Sequence, residues 1–316
     1  MGGEPVYVGI DFGGTKLFGA LVGRDGSLGD ETYVEHGPAT AHLEAPSAEE
    51  SALGVPYAEL CNLARGLCAK ARAQGRVPAG IGIGAPGMVS AGGVVVNAGA
   101  LGWKNVPLEP LMERRVGVPV RIENDVNLAA LGEHAVGAGR GFSSLFLLAI
   151  GTGIGGAVVV DGKLWRGRHY AAGEIGALLP GPEFLNWSDR DWGAFENYAS
   201  GTGLGNEGRK AAAGVAGVPI EATKGERLFA AAAAGEGWAK GVVDRAVDLW
   251  TVAISAVQAV LDPDVIVISG GVAASAARYV PGIAARLEKA LPQAPAVVVS
   301  QLGYRAGVLG APALFG

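Results

Sequence analysis

The sequence feature that most constrains the fold lies at residues 7–22, where two apolar runs flank the motif Asp-Phe-Gly-Gly-Thr-Lys at residues 11–16. Apolar runs around a Gly-Gly turn predict a β-hairpin. Glycines in such a turn let phosphate oxygens approach backbone N–H groups, and a carboxylate at Asp11 suits a Mg²⁺ ion carried by those phosphates. An ordinary hairpin with a capping aspartate explains the same residues, so this stretch alone leaves phosphate binding open.

A second segment of the same design occupies residues 145–160, where apolar runs flank Gly-Thr-Gly-Ile-Gly-Gly at residues 151–156. Residues 141–160 carry no charge, but the glycines in their middle predict two strands around a turn rather than a membrane span. The two glycine turns lie about 140 residues apart in a chain of 316. We therefore predict two domains of like design, each with a phosphate-binding hairpin.

The composition limits which binding partners and which cellular compartment we expect for this protein. A net charge of −5 without a basic patch argues against nucleic acid as the main partner. The two cysteines, Cys61 and Cys68, lie in a helix-like stretch and suit small buried residues in a reducing environment. No charged-then-apolar signal segment opens the chain, so we expect a cytoplasmic protein that does not contact a membrane.

The remaining pattern predicts a mixed α/β protein. Strands are predicted at residues 28–34, 81–85, 94–96, 118–122, 145–150, 157–160 and 265–268. Helices are predicted at residues 51–74, 107–115, 126–136 and 235–261, with others starting at residue 273 and at about residue 305. Residues 165–200 are predicted to be irregular, and their aromatic and carboxylate side chains suit either a polyhydroxylated ligand or a surface loop packed by its own rings.

Two polar or glycine-rich clusters follow predicted strands. Asp125 is suited to the N-cap or first turn of the helix at 126–136, and local chemistry alone favours a simple capping role over a ligand. The Glu-Asn-Asp cluster at residues 123–125 nevertheless lies where open α/β sheets bind ligands. The Ser-Gly-Gly turn at residues 269–271 could place backbone against a nucleotide or could be an ordinary turn.

Together these motifs resemble those of the ROK family of sugar kinases, in order and spacing, across nearly the whole chain. The resemblance rests on residues 11–16, 123–127, 151–156, 173–176 (Gly-Glu-Ile-Gly) and 269–271, with further similarity at 85–87 and 102–108. It implies two actin-like (ribonuclease H-like) α/β ATPase domains with mixed sheets flanked by helices and an active-site cleft between them. We expect a smaller domain at residues 1–122 with a C-terminal helix at about 305–316, and a larger one at 123–304.

The resemblance also implies the residues on the sugar side. Asp125 would be the general base that accepts the proton of the sugar hydroxyl, usually the 6-OH, and Asn124 would hold sugar hydroxyls. Glu174 and Glu196 match the two glutamates that contact the sugar ring, and Asn97 is a further predicted substrate contact.

On the donor side the resemblance implies ATP and Mg²⁺, with Asp11 near the metal through water. The predicted cofactor-binding residues are Asp11, Gly13, Gly14, Thr15, Lys16, Gly151, Thr152, Gly153, Gly270 and Gly271. The last two would lie against the adenosine. Another phosphoryl donor, such as polyphosphate, stays open.

The chain departs from the family pattern after residue 176. The family usually has Gly-Glu-Ile-Gly-His followed by a cysteine-containing zinc knuckle, whereas this chain has Ala177 and, at residues 186–196, no cysteine. We therefore predict no structural zinc. Sugar specificity is left open, and His169 is a possible substitute for the missing histidine.

The leading hypothesis is ATP-dependent phosphorylation of a hexose, with glucose converted to glucose 6-phosphate by a homodimeric kinase. Fructose, mannose, allose or an N-acetylhexosamine are alternative substrates. A non-catalytic sugar-binding relative is an alternative of another class, motivated by Ala177 and the missing knuckle. A sugar-responsive regulator would need an added N-terminal helix-turn-helix, and the first strand already starts by about residue 5.

Overall fold

The structure is a computed structural model that describes residues 3–35, 43–187 and 193–316. The chain divides into two compact units. Unit 1 comprises Met1–Arg140, Gly162–Ala171 and Tyr304–Gly316, and unit 2 comprises Gly141–Asp161 and Ala172–Gly303.

The described strands and helices, in chain order, have the following bounds. The strands are β1 (Pro5–Phe12), β2 (Lys16–Val22), β3 (Leu28–Glu35), β4 (Val77–Ala85), β5 (Met88–Ser90), β6 (Val94–Ala98), β7 (Trp103–Pro107), β8 (Val120–Asn124), β9 (Ser144–Ile150), β10 (Ile154–Val160), β11 (Lys163–Leu164), β12 (Val265–Ser269) and β13 (Ala296–Val299). The helices are α1 (Ala48–Ala52), α2 (Gly54–Ala73), α3 (Leu108–Val116), α4 (Asp125–Val136), α5 (Ala194–Ala199), α6 (Gly201–Ala212), α7 (Gly225–Ala233), α8 (Gly237–Leu261), α9 (Ala273–Ala276), α10 (Val280–Ala290) and α11 (Ala306–Gly310).

The main sheet of unit 1 has the strand order β3-β2-β1-β4-β8. Strands β1 to β3 form an antiparallel meander, which contains the predicted hairpin and the predicted strand at 28–34, and β1, β4 and β8 run parallel. The buried strands β1, β2 and β4 are almost continuously apolar, because elements cover both faces of the sheet. Parallel pairing brings the carboxyl ends of β1, β4 and β8 to one edge of the sheet.

A small antiparallel sheet, β5-β6-β7, follows β4 in unit 1. Only β6 was predicted from the sequence, because β5 has three residues and β7 contains Lys104, Asn105 and Pro107. The predicted helix at 51–74 is also interrupted: α1 ends before Leu53, and Gly54 takes a left-handed φ of +69° at the start of α2. A glycine in that conformation interrupts a continuous helix.

Helix α1 is joined to α3 by a nearly buried ion pair. Oε1 and Oε2 of Glu50 accept hydrogen bonds from Nε and Nη2 of Arg115, at 2.5 and 2.6 Å. The same carboxylate accepts from the backbone N–H of Ser47 and from the hydroxyl of Tyr57. These bonds, the Arg115 bonds first, lower the pKa of Glu50 from 4.5 to about 2. Such charge-assisted bonds in a buried position stabilise the helix pair.

The Glu50→Gln variant is expected to lose about 2 kcal/mol of unfolding free energy, as is typical for hydrogen bonds to charged groups. Because the folded pKa is the lower one, this stabilisation is complete above the unfolded value of 4.5 and is lost as the pH falls towards about 2. Denaturant titrations between pH 7 and pH 2.5 measure both effects. The control is Asp244→Asn in an exposed pair with Lys240, which is expected to change stability by less than about 0.5 kcal/mol. An equal loss in both variants would contradict the prediction.

The sheet of unit 2 contains β10, β9, β12 and β13, in that order. Strands β9 and β10 form the predicted antiparallel hairpin, and β9, β12 and β13 run parallel. The arrangement β2-β1-β4-β8 of unit 1 has the same pattern of one hairpin and two parallel pairs, which confirms two sheets of like design. No helix among the described residues is long and apolar enough to cross a bilayer.

The core of unit 2 is built on the long helix α8. Trp250 is fully buried there, and its indole N–H donates to the backbone carbonyl of Ala199 at the end of α5. Residues 165–200 are therefore not irregular throughout, since α5 begins at Ala194 and packs on α8.

The division into units differs from the sequence expectation of a boundary between residues 122 and 123. Strand β8 pairs with β4 through its last residue, and α4 packs against α11, so residues 123–140 belong to unit 1. The short segment 162–171 also belongs to unit 1, although it follows β10 in the chain. Its place depends on contacts between residues distant in sequence, which a local pattern does not reveal.

Candidate active site

The edge of the unit 1 sheet brings Asp11 and Asp125 near one another. Asp11 of β1 is in register with Gly84 of β4, which is in register with Glu123 of β8. A Cβ atom on Gly84 would lie 3.2 Å from the Cα atom of Asp125. Glycine at this position therefore allows the start of α4 to approach β4 closely. The two carboxylates predicted from separate motifs lie in one neighbourhood.

Asn124 and Asp125 form the start of α4. Asn124 is the N-cap, since its Oδ1 accepts from the backbone N–H of Asn127 at 3.0 Å. Asp125 is the first helical residue, and its Oδ1 accepts from the N–H of Val126 and from Nδ2 of Asn124. The structure thus places Asp125 in the first turn and gives the cap to its neighbour. The carboxylate is held in one orientation and is half-buried.

Both carboxylates hold their protons more tightly than an ordinary aspartate. Desolvation raises the pKa of Asp125, opposed by the N–H of Val126, its own N–H and the Asn124 side chain. Desolvation, then the charge of Asp125, raises the pKa of Asp11 to about 7, and Lys16 opposes this. Although Asp125 lies at a helix N-terminus, which favours the ionised form, burial outweighs this effect and raises its pKa.

Gly87 joins Asn97 to Asn124. Its carbonyl oxygen accepts from Nδ2 of Asn124 at 3.0 Å. It has a φ of +81°, and a Cβ atom there would lie 2.0 Å from the carbonyl oxygen of Asn97. Only glycine satisfies both conditions. The turn after β4 therefore brings the exposed Asn97 of β6 and the cap of α4 to one place, as required if both contact a substrate.

The sequence does not reveal an ion pair between the buried Glu123, next to Asn124, and the half-exposed Arg166. Glu123 is 3% exposed, and its Oε2 accepts from Nε and Nη2 of Arg166 at 2.7 Å. Its Oε1 accepts from the backbone N–H of Asn124 and from Nδ2 of Asn127. Glu123 therefore fixes the backbone from which Asn124 and Asp125 project. Its position beside the Asn-Asp pair was a signal, but the arginine lies 43 residues away.

The first glycine turn is exposed, at residues 14–16. The N–H of Gly13 donates to the carbonyl of Lys16, while among the described residues the N–H groups of Gly14 and Thr15 have no protein acceptor. Two N–H groups are thus available to an anion. Gly14 also has a packing reason, because a Cβ atom there would lie 2.8 Å from the Cβ atom of Ala100.

The second glycine turn, in unit 2, has the same property. The N–H of Gly151 donates to the carbonyl of Gly153, and the N–H groups of Thr152 and Gly153 have no acceptor within the described part of the chain. Gly270 packs against the strand leading into this turn, since it has a φ of +89° and a Cβ atom there would lie 2.4 Å from the carbonyl oxygen of Ile150. Gly271 borders open space. The two glycine motifs predicted for the donor side in unit 2 are therefore neighbours.

Glu174 and Glu196 lie on adjoining segments of unit 2. Glu174 is exposed and precedes a 3-10 turn at Ile175–Ala177, and Glu196 lies in the first turn of α5. The segments touch at Gly193, where a Cβ atom would lie 2.0 Å from the carbonyl oxygen of Gly176. The structure thus brings both predicted sugar glutamates to one side of unit 2.

The segment that replaces the family's zinc knuckle lies partly outside the described residues, because 188–192 are not described. On either side of that gap, the rings of Phe184, Trp187 and Tyr198 lie with centroids 5.6 to 6.3 Å apart. These contacts join the loop before the gap to α5. No group of three or more metal-ligating side chains occurs in the ranges 3–35, 43–187 and 193–316. His169 lies exposed in the 162–171 segment of unit 1.

Known proteins share this architecture. The family model described as ROK family matches residues 7–316. A glucokinase from Halalkalibacterium halodurans is 31% identical over 324 residues, covering 96% of this chain and 93% of the relative. An N-acetyl-D-glucosamine kinase from Vibrio cholerae is 29% identical, covering 97% and 98%. A crystal structure of a Streptomyces griseus ROK family glucokinase with glucose and AMPPNP is 28% identical, with a TM-score of 0.75 and 98% of each chain covered. The similarity extends over both units.

Proposed function

The chain belongs to the ROK family and is a sugar kinase, and we propose that it transfers the γ-phosphoryl group of ATP to a hydroxyl of a hexose, with glucose as the leading candidate. The observation that carries this proposal is the placement of Asp125, a carboxylate fixed by Asn124 and Val126 beside Asp11. The glucose and AMPPNP bound to the Streptomyces griseus relative support the choice of acceptor and donor.

In the proposed mechanism Asp125 accepts the proton of the attacking sugar hydroxyl. A base works best when its pKa lies near the working pH, so the raised pKa of Asp125 makes it a better proton acceptor than an ordinary aspartate. Phosphoryl transfer has a loose transition state, so positioning supplies most of the remaining catalysis. Asn124 orients the base, and the Glu123–Arg166 pair fixes the backbone that carries both.

Asp11 has the properties of a group that works next to a cation. Its carboxylate accepts no hydrogen bond from a described residue, and desolvation and Asp125 raise its pKa to about 7. A divalent cation would favour its ionised form. Asp11 would hold Mg²⁺ through water, and the ion would neutralise charge on the phosphates. The free N–H groups of the turns at Gly14-Thr15 and Thr152-Gly153 would contact phosphate oxygens.

The substrate is glucose or a related sugar such as N-acetylglucosamine, because kinases named for each of these sugars are similar to this chain. Glu174 and Glu196 would accept hydrogen bonds from ring hydroxyls, and Ala177 would offer the sugar no hydrogen-bonding side chain. A coupled ADP-release assay over glucose, mannose, fructose, allose and N-acetylhexosamines tests the proposal. Sugar-dependent ADP release with glucose the best substrate is expected. A protein that binds sugar but releases no ADP would contradict it.

Purified protein is expected to contain less than about 0.1 zinc per chain, because structural zinc sites need four Cys, His or carboxylate ligands. The sequence supplies no cysteine after Cys68, and Ala177 occupies the position of the usual histidine. Elemental analysis by inductively coupled plasma mass spectrometry measures this, with a chelator-treated sample as the control. Stoichiometric zinc that survives dialysis would contradict the prediction.

A further inference from the structure

The Glu196 carboxylate contacts the second glycine turn directly. Its Oε2 accepts from the backbone N–H of Ile154, the residue after the turn, at 2.5 Å. A Cβ atom on Gly153 would lie 2.3 Å from the same oxygen. Glu196 therefore fills the space beside Gly153 and holds one side of the turn in place.

The other side of the turn is held by the start of α6, which follows α5 immediately. The N–H of Gly201 donates to the carbonyl of Gly151 at 2.8 Å, and the N–H of Thr202 donates to that of Thr152 at 3.3 Å. These bonds leave the N–H groups of Thr152 and Gly153 without a described protein acceptor. Thus α5 and α6 fix the turn through its carbonyl oxygens and through Ile154, while its own donors stay available for phosphate.

We propose that Glu196 is a positioning residue of the phosphate-binding turn as well as a sugar contact, so that one carboxylate couples acceptor and donor binding in unit 2. This inference rests on the proposed function. A carboxylate has about four acceptor positions, so it can serve Ile154 and a sugar hydroxyl together. A sugar that fixes Glu196 also fixes the turn. The nucleotide then binds to a turn that is already ordered, so its binding costs less conformational entropy.

Such coupling is reciprocal. If sugar raises the affinity for nucleotide by some factor, nucleotide raises the affinity for sugar by the same factor. Nucleotide affinity measured without sugar distinguishes a positioning residue from one that only contacts sugar. Loss of Glu196 should lower this affinity, whereas loss of a residue that only contacts sugar should not. Glu174 gives the matched control, because it is the other predicted sugar glutamate and lies on the neighbouring segment.

The test measures binding of MgADP, without sugar, to the full chain by isothermal titration calorimetry. Glu196→Ala removes the acceptor of the Ile154 N–H, and we expect MgADP affinity to fall about ten- to hundredfold, as for a lost charged hydrogen bond. Glu196→Gln keeps an amide oxygen as acceptor, so its MgADP affinity should stay within about threefold while glucose affinity falls at least about tenfold. Glu174→Ala should weaken glucose binding and leave MgADP affinity within about twofold.

Several outcomes would overturn the inference. One is an MgADP affinity of Glu196→Ala equal to that of the wild type. Another is an equal loss of MgADP affinity in Glu196→Ala and Glu174→Ala. If Glu196→Ala has a lower melting temperature, Glu196→Asp replaces it, because it keeps the charge but withdraws the carboxylate from Ile154. Failure of the proposed function is distinguishable: wild-type protein would then bind MgADP with the predicted pattern but phosphorylate no sugar. A wild-type chain that does not bind MgADP overturns both.

Discussion

Asp125→Asn is expected to lower kcat by about two to four orders of magnitude, the usual contribution of a general base. The asparagine side chain has the same shape and can still accept from the N–H of Val126, so the start of α4 should be preserved. It cannot take up the proton of the sugar hydroxyl. The coupled ADP-release assay at saturating sugar and ATP gives kcat, and calorimetry should show sugar and nucleotide affinities close to those of the wild type.

The pH dependence provides a second readout of the same substitution. Asp125 must be ionised to act as a base, so the wild-type rate should fall as the pH decreases through a pKa that burial raises above the ordinary aspartate value. This acid limb should vanish in the residual rate of Asp125→Asn. The control is Asp248→Asn, an exposed partner of Arg286, which should retain full activity. Sugar-dependent turnover near the wild-type rate in Asp125→Asn would refute the assigned base.

The parts of this site that could be predicted from sequence are those encoded locally. The hairpins around residues 13–15 and 151–153 follow from apolar runs and glycines, and both occur as predicted. The cap at the start of α4 was also local, although the cap itself is Asn124 and not Asp125. The N-cap is the residue whose side chain accepts a hydrogen bond from the backbone N–H three residues later. Asn124 and Asp125 both carry a side-chain oxygen that can accept this bond, so the sequence does not distinguish them.

The parts that could not be predicted depend on residues far apart in the chain. Glu123 becomes a buried partner of Arg166 only after β8 and the 162–171 segment have met in unit 1. The raised pKa of Asp125 likewise needs the surrounding protein, because desolvation is a tertiary effect that outweighs the local helix dipole. Glu196 contacts the turn at Gly153 through Ile154, which lies 42 residues away from it in the sequence. Sequence motifs identified Asp125 and Glu196 but not Arg166, and tertiary structure decides what all three do.

Contacts between residues distant in sequence also make the stability of the fold sensitive to substitution of Gly132. Gly132 of α4 is buried, and a Cβ atom there would lie 2.1 Å from the carbonyl oxygen of Ala306 in α11. Gly310 of α11 has the reciprocal relation, with a Cβ atom 2.0 Å from the carbonyl oxygen of Leu128. Two glycines thus allow the backbones of the two helices to touch. Since α4 begins with Asp125, this packing also positions the proposed base.

Gly132→Ala is expected to lower the free energy of unfolding by about 2–3 kcal/mol, because a backbone oxygen must move to admit the methyl group. Helix propensity alone would give a gain of up to about 1 kcal/mol, so packing must outweigh it. The matched control is Gly66→Ala in α2, where the added Cβ atom meets nothing within 4 Å and stability should rise. Urea titration of both variants measures the contrast. If Gly132→Ala stabilises the protein as Gly66→Ala does, α4 and α11 do not pack at glycine distance, and the placement of Asp125 on that helix pair would have to be revised.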